Sequence, residues 1–167
     1  MKARLCVRGG EIRGFSEFDT SAPTAARISP KAAMFVSRAM RWKIGVVDIS
    51  QAFSQADLIT PAQRVVVIAP WFIPTPWKRR VDTTLDRRAR PEWGWLAMRP
   101  LYGTKRAPLR WYQKLTSCFI RRQWNPCTLD PRLYRWEWQN QMEGLAVLHV
   151  DDILVTGTEK GLESFAV

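Results

Sequence analysis

Three features of the sequence predict an α+β fold in one domain. Strand-like and helix-like segments are mixed without the strict strand–helix–strand alternation of a parallel sheet. The last third holds short apolar runs joined by polar turns, the pattern of antiparallel hairpins. A chain of 167 residues with 46% hydrophobic side chains is long enough for one core but not for two.

The elements follow in order. Ser29-Pro30 reads as an N-cap followed by proline at the first helical position. The segment Pro30 to Arg41 then repeats apolar residues at helical spacing, with Ala33, Val36 and Met40 on one face. IGVVDIS, residues 44–50, is β-branched and reads as a buried strand, and RVVVIA, residues 64–69, as a second. Residues 70–92 carry four prolines and many charges, which predicts a surface excursion. Pro108 opens a second helix that runs to about residue 123. Its spacing puts Arg110, Lys114 and Arg121 on one face and Tyr112, Leu115 and Phe119 on another. RLYRWEWQ (132–139) and LAVLHV (145–150) are expected to pair as antiparallel strands, with QNQMEG as the turn. ILVTG (153–157) completes a further hairpin with Asp151 and Asp152 at its tip.

Charge narrows the function. Lys and Arg total 26 against 15 acids, a net charge of +11, and such an excess favours a polyanionic partner. From residue 93 to residue 129 there is no acid, yet seven bases occur. A solvated basic face accounts for the same stripe without any ligand. Nine tryptophans offer surfaces that stack on bases, although packing uses them equally well. Three cysteines without a C-x-x-C pair, and one histidine, argue against a zinc site and a disulfide framework. No apolar run approaches the roughly 20 residues of a membrane span, and the basic N-terminus lacks a signal-peptide core. The expectation is an intracellular chain, in a cytoplasmic particle or the nucleus, with no membrane partner.

GLAVLHVDDILVTG, residues 144–157, raises a physical problem. Two carboxylates about 5 Å apart repel by about 3 kcal/mol at an effective dielectric near 20. Favoured hairpin turns use Asn-Gly or Gly pairs, so folding alone does not select Asp-Asp. A bound divalent cation offsets the repulsion directly. Asp48 ends its own apolar run as Asp151 follows LAVLHV, so neighbouring strands would bring the two together. Mg2+ prefers carboxylate and water ligands and leaves substrate phosphates to complete the shell. Taken alone, Asp48 is equally an ordinary strand-end aspartate.

HVDD at 149–152 is similar to the Tyr-Val-Asp-Asp motif of reverse transcriptases. VVDISQAFSQADL (46–58) resembles the first catalytic block of copia-type LTR retrotransposons, and PLYGTKRAPLRWYQKL (100–115) the block that follows it. KARLCVRGG, APTAARISP and DPRLYRW stand in the order of that family, so the resemblance spans nearly the whole chain. It implies a reverse-transcriptase-like palm, with an antiparallel sheet packed on helices and part of the fingers. The implied activity is RNA-directed DNA polymerisation, with primer on an RNA or DNA template and deoxynucleoside triphosphates as partners. By the same resemblance Asp48, Asp151 and Asp152 are the catalytic, metal-binding carboxylates for two Mg2+ ions, with Mn2+ as the alternative ion. Phe53 matches the aromatic gate against a 2′-OH, although a core aromatic fits that position as well. The resemblance further implies that the backbone at Ile49 would lie beside the triphosphate, that Tyr102 and Gly103 would floor the nucleotide pocket, and that Lys2 and Arg4 would contact incoming phosphates. Lys105, Arg106, Arg110 and Lys114 would meet the nucleic acid.

The chain departs from that pattern at three places. His149 replaces the larger tyrosine of the motif. Thr104-Lys105-Arg106 replaces Leu-Lys-Gln, and Ser54-Gln55-Ala56 replaces Leu-Asn-Gly. None removes a metal ligand. The expected extent is one partial domain, 1–167, with thumb, RNase H and integrase outside it. Two other readings remain open: an inactive nucleic-acid-binding relic, and another two-metal palm enzyme such as a nucleotide cyclase, against which PLYGTKRAPLRWY argues.

Overall fold

A computed structural model describes residues 6–7, 22–60, 66–68, 79–80 and 93–166. Its elements are α1 (Ile28–Met40), β1 (Lys43–Asp48), α2 (Ala52–Gln55), β2 (Val66–Ile68), β3 (Arg79–Arg80), β4 (Trp93–Leu96), α3 (Ala107–Arg121), β5 (Trp124–Pro126), β6 (Leu133–Trp138), β7 (Gln141–His149), β8 (Asp152–Gly157) and α4 (Glu159–Ala166). The class is α+β, as expected. A five-stranded antiparallel sheet runs β1-β8-β7-β6-β5, and a three-stranded one runs β2-β4-β3.

The larger sheet is covered on both faces. Because side chains alternate along a strand, Tyr134, Trp136, Ala146, Leu148, Ile153 and Val155 face one side. There they join Trp111, Leu115 and Phe119 of α3, together with Trp124, Ala52 and Ala56, in the core. The buried row of α3 is Ala107, Trp111, Leu115 and Phe119, spaced by four. Trp111 therefore takes the inward place that the periodicity assigned to Tyr112. The half-buried Tyr112 instead receives the Arg132 guanidinium 4.2 Å above its ring. On the other face α1 packs against β7 and β8, where the buried Leu145, Val147 and Thr156 point.

Several local expectations change. The first helix begins at Ile28, so Ser29 is a first-turn residue and not the cap. Its inward face is Ser29, Ala33 and Ser37, while Met40 is exposed and Val36 half-buried. The strand at 43–48 is mostly exposed, because among the described residues β1 is the last strand of the sheet; Val46 is 71% exposed. The turn after β6 is only Gln139-Asn140, both at positive φ, which matches the twist of a two-residue hairpin. The second strand runs as Val66–Ile68 and pairs with β4. Most of the proline-rich stretch 70–92 lies outside the described residues, and Arg79–Arg80 within it forms a short strand.

A polar cluster ties the segment before α1 to the sheet. The buried Asp130 carboxylate accepts the Ser29 hydroxyl, the Ala26 amide at 2.9 Å and the Arg132 amide at 2.9 Å. Arg132, also buried, donates to the Pro23 carbonyl. Burial raises the Asp130 carboxyl, but those hydrogen bonds and the Arg132 charge more than offset it and hold the group below its ordinary value of 3.8. A depressed folded value means that the stabilisation is full above the unfolded value and is lost as pH falls through the folded one. Asp130→Asn should cost about 2 kcal/mol at pH 7 and less at pH 3, below the unfolded value. Urea denaturation at the two pH values checks this; an equal cost at both would exclude the carboxylate as the stabilising group.

Candidate active site

Register places the aspartates. β8 runs between β1 and β7, so the strands ending in Asp48 and His149 are not neighbours, and Asp48 lies directly opposite Asp152. Asp152 in turn lies opposite His149. Asp48, Asp152 and His149 therefore form a row across three strand ends, on the face away from α3. All three are exposed. Asp152 is already the first residue of β8, so the hairpin tip is Val150-Asp151 and not the aspartate pair.

That tip is held tightly. Val150 has φ +55°, a conformation that a β-branched residue adopts only under constraint. Two hydrogen bonds supply it: Trp111 Nε1 donates to the Val150 carbonyl at 2.6 Å, and the Ile49 amide donates to the Asp151 carbonyl at 2.9 Å. The second bond joins the end of β1 to the turn, so the backbones that carry Asp48, Asp151 and Asp152 are adjacent. The side chains are not drawn together: among the described residues no three His, Cys, Asp or Glu groups are placed to hold a metal ion. The donor chemistry, three carboxylates without a thiolate, fits a hard divalent cation.

Beside the strand ends, Gln51 at φ +54° starts α2. The half-buried Phe53 ring packs on Tyr102 with centroids 4.7 Å apart. Gly103 has φ +88°, and a β-carbon there would meet the Val7 carbonyl at 1.9 Å. The Val7 amide also bonds the Tyr102 carbonyl at 2.7 Å. Phe53 and Tyr102, with the adjacent Gly103, thus lie together at α2. Lys2 and Arg4 lie outside the described residues.

The basic stripe divides. Lys114 is committed to Asp57, at 2.6 Å, and that hydrogen bond holds the Asp57 carboxyl below the usual carboxylate range. Arg110 and Arg106 are half-buried, whereas Lys105 is exposed in the turn before α3. Arg99, not singled out from the sequence, donates to the Ala56 carbonyl at 2.6 Å and holds the end of α2. An apolar cleft of about 450 Å³ opens on the α3 side, lined by Val47, Ile49, Leu115, Phe119, Ile153 and Phe165 among others. It lies on the opposite face of the sheet from the Asp48–Asp152 row. No helix among the described residues is long and apolar enough to cross a membrane.

The sequence could have revealed Trp111 through the four-residue spacing from Ala107 to Phe119, but its bond to the turn depends on the fold. The family described as "Reverse transcriptase (RNA-dependent DNA polymerase)" matches residues 1–165. The chain is 25% identical over 162 residues to the retrovirus-related Pol polyprotein from transposon TNT 1-94 of Nicotiana tabacum, covering 96% of this chain and 11% of that protein. It is 26% identical over 162 residues to the retrovirus-related Pol polyprotein from transposon RE1 of Arabidopsis thaliana, covering 96% and 10% respectively. The chain thus spans about a tenth of these relatives' length. No solved structure matches it.

Proposed function

Because the chain belongs to the reverse transcriptase (RNA-dependent DNA polymerase) family, we propose that it is the fingers–palm core of a copia-type RNA-directed DNA polymerase. The reaction adds a deoxynucleotide to a primer 3′-OH on an RNA or DNA template and releases pyrophosphate. One observation carries the reading: the backbones of two distant segments, one carrying Asp48 and the other Asp151-Asp152, stand side by side, with Asp48 opposite Asp152 and the Asp151 carbonyl bonded to the Ile49 amide.

Asp48 and Asp151 are the principal ligands in this reading, with Asp152 in support. Two Mg2+ ions held there would lower the pKa of the primer hydroxyl and neutralise the triphosphate. In this reading the three carboxylates would turn toward a shared site from backbones that stand side by side. Ile49 and the turn into α2 present backbone beside the triphosphate. Phe53, packed on Tyr102, closes the space under the sugar and disfavours a 2′-OH. The exposed Lys105, with Arg106 and Arg110, supplies positive charge along the template, while Lys114 acts indirectly by anchoring Asp57. Positioning and charge neutralisation carry the catalysis.

Primer extension on an RNA template with Mg2+ and deoxynucleotides tests the proposal, with Asp151→Asn as the comparison. Extension by the parent chain that falls at least about a thousandfold in the variant is the expected result. Salt-sensitive binding of primer–template without extension would instead make the chain a nucleic-acid binder without polymerase activity.

A further inference from the structure

The strain at the tip of the β7–β8 hairpin asks what holds it. Val150 is the only β-branched residue among the non-glycine residues at positive φ in the described chain, and such a conformation persists only where its surroundings over-determine it. Pairing of His149 with Asp152 closes the hairpin but leaves both tip carbonyls free to rotate with their peptide planes. The Ile49 amide fixes the second of them. The first, that of Val150, belongs to the peptide plane that leads directly into Asp151, and its partner is the Trp111 indole N–H at 2.6 Å.

Trp111 is well suited to that task. It is 4% exposed and sits in the buried row of α3 between Ala107 and Leu115, so its ring is fixed by packing and its N–H direction by the ring. A buried indole N–H usually finds an acceptor, and here the acceptor is main chain next to a proposed metal ligand. An apolar side chain of similar size would fill the same space in the core without orienting the turn.

We propose that Trp111 is a positioning residue for the aspartate turn: its indole N–H holds the Val150 carbonyl and thereby sets the direction from which Asp151 addresses the cation. This rests on the polymerase reading for the identity of the cation, but the hydrogen-bonding role does not. Loss of a group that orients a metal ligand weakens metal binding by about tenfold or more.

The test replaces Trp111 by 3-benzothienylalanine, an isostere with sulfur in place of the N–H, so that packing is retained; Trp111→Phe serves as the genetically encoded counterpart. Two quantities are read on the full chain: amide hydrogen exchange at Ile49 and Asp151-dependent Mn2+ binding by electron paramagnetic resonance. The expected result is about tenfold faster exchange at Ile49, unchanged exchange across the β6–β7 pairing, and about tenfold weaker Mn2+ binding. Unchanged exchange at Ile49 overturns the role of Trp111 in holding the turn. Faster exchange with unchanged Mn2+ affinity overturns its role in directing Asp151. If the parent chain shows no Mn2+ binding that Asp151→Asn removes, the metal-site reading fails together with this role, and the exchange result separates that failure from the others.

Discussion

Asp48→Asn should raise the thermal midpoint while abolishing primer extension. Asp48 lies directly opposite Asp152 across the β1–β8 pair, and like charges in directly opposed positions destabilise a sheet. Both side chains are exposed, so water and salt screen the repulsion and the gain is small, about 2 °C. It should shrink further in 1 M NaCl, where the screening length falls to about 3 Å. Activity moves the other way. If Asp48 is a principal cation ligand, replacing its charge removes several kcal/mol of electrostatic stabilisation, a rate loss of about a thousandfold or more. A lower midpoint in the variant would show that the facing carboxylates do not repel in the folded chain. Retained extension would remove Asp48 from the metal site. The pairing of higher stability with lost activity is the signature of residues kept for chemistry at the expense of the fold.

Gly161→Ala should destabilise the protein although it lies in a helix, where alanine normally gains about 1 kcal/mol over glycine. A β-carbon at Gly161 would stand 2.2 Å from the Glu143 carbonyl oxygen and 2.9 Å from its carbonyl carbon. Both are main-chain atoms of β7, so no side chain can swing aside. The contact is part of a wider close approach: the Thr158 amide bonds the same carbonyl at 2.9 Å, and a β-carbon on Gly157 would also meet that oxygen, at 2.5 Å. Relief requires α4 to lift from the sheet, which would loosen Phe165 from its edge contacts with Phe119 and Trp124. Overpacking against rigid backbone costs about 3 kcal/mol, so the net change in urea denaturation should be about 2 kcal/mol of lost stability. A neutral or stabilising effect would show that α4 is not seated on β7 through this glycine.

The expectations that held rest on local rules. The helix from Ala107 to Arg121 was legible in its proline start and apolar spacing, and the three antiparallel strands at 133–157 in their short apolar runs joined by polar turns. The strand at 43–48 was legible as a strand but not as an edge, because the same apolar run suits a central strand, and strand order is set by pairings between distant segments. Likewise Ser29 had the composition of a cap, yet its hydroxyl goes to Asp130, 101 residues away. Tyr112 and Trp111 are adjacent aromatics, and it is Trp111 that continues the buried row of the helix into the core.

By itself the sequence determined the fold class and the family, because these follow from residue type, order and motif along the chain, and through that resemblance it pointed to the three aspartates proposed as metal ligands. Tertiary structure alone decided that Asp48 faces Asp152 and not Asp151, that Lys114 is bound to Asp57, and that a tryptophan indole holds the strained turn. Each of these depends on register and approach between segments up to 104 residues apart in sequence, and a one-residue change of register would redirect every side chain in the row to the other face.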